Sequence, residues 1–205
     1  MENPLTGCPL GCHPQEAADP AAALTPEESS RLSRAIGQIT GASDETERTG
    51  SLRIVQNFCE GQPSIIPLLG TAGPFALIPV LVRLLLDSST ALGGVLGLLD
   101  CLLRACRANC KAFLRVRGAV EAILTALNSL VDDASSAAVV LPKIGALVTV
   151  LLRYRPSLRD ELIAAEAAEI AAGVVRSLVR SGEARGAADF QPILQLVVDL
   201  TVDDA

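Results

Sequence analysis

The sequence predicts an all-α protein built from stacked helical units, and three observations carry that prediction. Half of the residues are hydrophobic while only 2% are aromatic, so a core must be made of Leu, Val, Ile and Ala, whose methyl surfaces pack well between helices. Apolar residues return at three- and four-residue spacings, the period of a helix with one buried face. Finally, a helical block recurs along the chain at a shift of 45 residues.

The elements follow in order. Residues 1–24, rich in Pro, Gly and Ala without a regular period, read as a disordered tail, and residues 25–205 as a single domain. Thr25, Pro26 and Glu28 make a helix start: the threonine hydroxyl accepts from the first turn, proline suits that turn, and Glu28 completes a T-x-x-E box. Leu32, Ala35, Ile36 and Ile39 then share a face, and Gly41 is expected to close the helix in a left-handed conformation. After a polar connection, SDETERTG, a second helix is expected through SLRIVQNFCEG, with Leu52, Val55, Phe58 and Cys59 inward. Residues 61–82 carry no charge and are long enough for a membrane span. Pro63, Pro67, Pro74 and Pro79 would break such a span, so two short buried helices are expected instead.

From there the pattern repeats. PSIIPLLGTAG and PFALIPVLVRLLLDSS (63–89) align with NCKAFLRVRG and AVEAILTALNSLVDDA (109–134), which sets Gly73 on Gly118, Ile78 on Ile123, Val82 on Leu127, Leu85 on Leu130 and Asp87 on Asp132. A looser copy covers 156–183, and a longer apolar helix follows each block: TALGGVLGLLDCLLRAC, SSAAVVLPKIGALVTVLLRY and ADFQPILQLVVDLTV. Short, medium and long helices at a period in the mid-forties mark a helical repeat whose units share one continuous core. NCKAFLRVRGAVEAIL resembles the first helix, glycine turn and second helix of armadillo-like (armadillo/HEAT) repeats, and the long helices resemble the third. The resemblance implies a right-handed α-solenoid, an armadillo-like superhelix with a partial opening repeat and about three fuller ones over residues 26–201.

It also implies where a partner would bind. Third helices of armadillo proteins line a concave groove, and peptide-binding members present a Trp slot and, four residues on, an Asn slot. Carried across, the Trp slots fall on Arg53, Gly97, Ala146 and Gln195, and the Asn slots on Asn57, Cys101, Val150 and Asp199. Only Asn57 matches, which argues against recognition of a basic import signal. Gly97, Ala146 and Val150 instead make a smooth apolar surface suited to a helical or hydrophobic segment, or to self-association. Beside it, Arg104, Arg107, Lys111, Arg115 and Arg117 form a basic cluster that Arg153, Arg155 and Arg159 repeat, so stacking would set both along one edge. In a chain of net charge −6 this edge could orient a partner with acidic flanks.

Other chemistry finds little footing. Of the cysteines in LLDCLLRACRANC, Cys106 falls with Val95, Leu99, Leu102 and Leu103, whereas Cys101 lies about 140° around the helix, so the pair does not converge on an ion. Cys110 is expected past a helix end at 107–109, and Cys59 and Cys106 read as core. Cys8, Cys12 and His13 offer three donors without paired zinc spacing, and no cofactor is expected. His13 is the only histidine and Tyr154 the only tyrosine, which removes most acid-base and triad options. The carboxylate pairs Asp132/Asp133 and Asp203/Asp204 read as solvated ends. The acidic balance disfavours nucleic acid. The chain opens without a secretory signal, so an intracellular, reducing, cytoplasmic setting is expected. The function predicted is that of a non-enzymatic scaffold or adaptor. The alternatives are a regulator of a small GTPase or of a chaperone nucleotide cycle, and a membrane-associated helical protein.

Overall fold

The computed structural model describes residues 24–70, 75–87, 91–131, 133–182 and 198. Among them are ten α-helices and no strand. The chain is all-α. The helices are α1 (Pro26–Gly41), α2 (Glu45–Gly61), α3 (Ile66–Gly70), α4 (Ile78–Leu86), α5 (Leu92–Ala105), α6 (Arg107–Arg115), α7 (Ala119–Ser129), α8 (Ala134–Tyr154), α9 (Leu158–Ala164) and α10 (Ala167–Ser181). A 3-10 turn, Pro63–Ile65, leads into α3.

The opening helix forms as its sequence dictates. Thr25 Oγ1 accepts from Glu28 N–H at 3.2 Å while Glu28 Oε2 accepts from Thr25 N–H at 2.8 Å, a reciprocal cap. Glu28 is held below the usual carboxylate range, first by the Thr25 backbone hydrogen bond and then by its hydroxyl. Leu32, Ala35 and Ile39 are buried on one face. The exit differs from expectation. Gly41 is the last helical residue rather than a left-handed cap, and the turn closes through Ala42, whose extended backbone donates its N–H to Gln38 O. The polar connection is also shorter than expected: Asp44 accepts from Thr46 N–H, so α2 starts at Glu45 and takes all of TERTG into its largely exposed first turns.

The uncharged stretch after α2 folds into short helices, α3 and α4, as its prolines require. One helix among the described residues, Ser135–Tyr154, is long and apolar enough to cross a membrane. It contains Pro142 and Lys143 and packs against α5, α7 and α10.

Like packs on like. Helix α2 lies against α5 and α5 against α8; α4 lies against α7 and α7 against α10; α3 lies against α6. The positions aligned at the 45-residue shift behave alike, with Ile78 and Ile123, Val82 and Leu127, and Leu85 and Leu130 all buried. One apolar cluster runs unbroken from Leu24 to Leu178.

The joins between consecutive helices are specifically fastened. Helix α5 ends at Ala105 and α6 begins at Arg107, a few residues earlier than expected, so Cys110 lies inside α6. Cys106 is buried at the bend. Asn109, wholly buried, donates through Nδ2 to Leu102 O and Ile66 O, and Cys110 Sγ donates to Leu103 O. Two orphan carbonyls of α5 are thereby capped from the next helix. Gly70 makes room for this clasp, because a Cβ there would overlap the Asn109 carboxamide. At the following turn Gly118 adopts φ +84°, the left-handed region that glycine enters freely, and α7 starts one residue later.

Candidate protein-binding face

Three long helices build the face. Helix α5 lies between α2 and α8, and its side away from the core carries Gly93, Gly97, Cys101 and Arg104 at helical spacing. Along α8 the matching row is Val139, Lys143, Ala146, Val150 and Arg153, of which Val139 is 61% exposed. From α2, Gln56 reaches this row: a Cβ on Gly97 would stand 3.7 Å from Gln56 Oε1 and 3.8 Å from Lys143 Nζ. Lys143 crosses from α8 to donate to Gly93 O at 2.8 Å.

The residues expected from sequence are thus spread over more than one surface. Gly97, Cys101, Ala146 and Val150 lie partly exposed on α5 and α8, the central pair of helices. Arg53 and Asn57 are exposed on α2, and Asn57 lines a cleft of about 250 Å³ with Arg31, Phe58 and Gln62, on the side shared with α1. Arg31 lies over the Phe58 ring at 5.8 Å in that cleft. Gln195 and Asp199 lie outside the described residues, as do Cys8, Cys12, His13 and Asp132.

Part of the basic edge is engaged within the chain. Arg104 pairs with Asp100 at 2.7 Å, Arg155 pairs with Glu161 at 2.9 Å, and Arg107 lies 5.4 Å from the centroid of Tyr154. The last contact joins the start of α6 to the end of α8, so the two arginine clusters meet there. Arg153 is exposed, and Lys111 and Arg115 flank a cleft of about 330 Å³ floored by Ile78, Ala112 and Val116.

Three of the described cysteines, Cys59, Cys101 and Cys110, are held as thiols. Burial pushes the Cys59 thiol up to about 12, with Cys101 adding to the shift. Cys101 is raised chiefly by burial, opposed by a hydrogen bond with Cys59 and reinforced by Glu60 and Asp100. Cys110 is raised by burial as well. All three are thiols rather than thiolates at neutral pH, and so poor nucleophiles. No group of three or more metal-ligating side chains converges among the described residues.

Sequence reasoning missed Gln56, Lys143 and Asn109. Lys143 did leave a signal, a single charge inside the otherwise apolar AVVLPKIGALV. Gln56 left none, since only the packing of α2 on α5 brings it to Gly97. The chain matches no family model, no curated protein and no solved structure.

Proposed function

We propose that this chain is an armadillo-like right-handed solenoid that acts as a non-enzymatic, intracellular protein-binding scaffold. The observation that carries the reading is the pair formed by α5 and α8 beside α2: two long helices packed side by side whose outward faces hold Gly93, Gly97, Val139, Ala146 and Val150 where solvated helices carry charge. The packing of α2 on α5 on α8 and of α4 on α7 on α10 supports the repeat, and the continuous core supports a rigid one. The partner docks a helical or hydrophobic segment on Gly97, Cys101, Ala146 and Val150. Arg153 and the other exposed cations orient its acidic flanks.

Affinity capture from native lysate tests this reading. A specific partner should be returned by the wild-type chain and lost with Val150→Glu, while circular dichroism of the variant stays helical. Retention of the partner by a folded Val150→Glu chain would remove the face from the reading.

A further inference from the structure

The contacts between α2 and α5 fix a register. Leu52 Cδ1 would stand 3.2 Å from a Cβ on Gly94, and Gln56 Oε1 would stand 3.7 Å from one on Gly97. Both numbers rise together, so the two helices run in parallel where they pack. Positions 52, 56 and 59 lie on one stripe of α2, and positions 94, 97 and 101 on one stripe of α5, because residues three and four apart share a helical face. One further step along this register sets Cys59 opposite Cys101. Glycine at 94 and 97 also lets side chains of α2 settle onto the backbone of α5, the closeness that a disulfide asks for, since its two Cα atoms stand within about 7 Å.

The two sulfurs do meet. Cys59 is 1% exposed and belongs to the core, and Cys101 packs against that core from the partly exposed side of α5. They share a hydrogen bond that opposes ionisation of Cys59 and favours that of Cys101, which makes the Cys59 S–H the donor and Cys101 Sγ the acceptor. Cys110 is placed differently, with its thiol spent on Leu103 O inside the α5–α6 join. Both Cys59 and Cys101 are free.

We infer that Cys59 and Cys101 are a redox modification site, at which a low-molecular-weight disulfide such as oxidised glutathione converts the two thiols into a Cys59–Cys101 disulfide that fastens α2 to α5. The inference stands apart from the scaffold reading and needs no partner protein. Cys101, the sulfur that solvent can reach, gives its proton to water and attacks one sulfur of the oxidant, which forms a mixed disulfide and releases one glutathione. Cys59 then loses its proton and attacks the Cys101 sulfur, expelling the second glutathione. Two hydrogens and two electrons leave the protein, and the oxidant departs as two thiols. Burial and the Glu60 and Asp100 carboxylates hold Cys101 protonated, so this exchange is slow at neutral pH and the equilibrium, not the rate, measures the site.

The test equilibrates the full chain in a glutathione redox buffer, approached from the reduced and the oxidised side, in native buffer and in urea. The native chain should lose the mass of two hydrogens, and a non-reducing digest should join the peptides that carry Cys59 and Cys101. Because packing holds the sulfurs together, the link should be held about tenfold or more strongly in native buffer than in urea, and it should raise Tm by about 4 °C. Cys101→Ser should abolish the link, and Cys59→Ala should stop the reaction at a glutathione adduct on Cys101. If Cys59→Ala loses its helical circular dichroism, the mapped link and the ratio between native buffer and urea decide alone. Two thiols that stay free, a stable adduct on Cys101 of the wild-type chain, pairing of either cysteine with a third, or a link held as strongly in urea would overturn the site.

Discussion

At the α5–α6 join, Asn109 and Cys110 turn inward and donate to carbonyls of the preceding helices; at the α8–α9 join, Arg155 turns outward and pairs with Glu161 on the surface. The turns that follow differ in the same sense. Gly118 takes the left-handed conformation between α6 and α7, whereas Glu166, φ +56°, takes it between α9 and α10, where an L side chain is strained. One geometry is thus fastened by two kinds of chemistry. The buried clasp fixes its neighbours to a single register, because any displacement strands polar groups away from water. The exposed ion pair is interchangeable with solvent and fixes little.

Substitutions should rank accordingly. Gly70→Ala strikes the clasp hardest and is expected to cost about 3 kcal/mol by urea denaturation. Asn109→Ala, which removes the donor to the Ile66 and Leu102 carbonyls, should cost about 2 kcal/mol. The double variant should be well short of additive, since the alanine removes the group that Gly70→Ala displaces; additive losses would show that the two do not act as one clasp. Gly118→Ala should cost about 1 kcal/mol, and Glu166→Gly, relieving strain at the equivalent turn, should gain about 0.5 kcal/mol despite the added freedom of the unfolded chain. Glu161→Gln should change stability by no more than about 0.5 kcal/mol, and that change should shrink in high salt. A large loss there would erase the contrast between the two joins.

Much of the fold was legible because it depends on local chemistry. The T-x-x-E box at Thr25, the prolines that divide 61–82, and the glycine turn at 118 each state a backbone conformation in a few residues. The errors came where two local signals compete. TERTG looks like a loop by polarity, yet Asp44 caps it into α2; Gly41 looks like a left-handed stop, yet Ala42 closes that turn in an extended conformation. The helical pattern set Gly97, Cys101, Ala146 and Val150 on two long helices, and α5 and α8 pack side by side. It could not find Gln56 or Lys143, whose approach to Gly97 depends on how deep one helix settles against another. Asn109 escaped for a similar reason, since its partners lie 43 and 7 residues back in the chain.

The stacking of Arg107 on Tyr154 has a practical side. The chain holds a single tyrosine and no tryptophan, so its tyrosine fluorescence arises from one ring, and that ring sits where the start of α6 meets the end of α8. Emission therefore reports the opening of that one seam while circular dichroism reports every helix. If the units melt together the two signals coincide; if the chain opens from one end, the tyrosine will mark the moment the break passes residue 154.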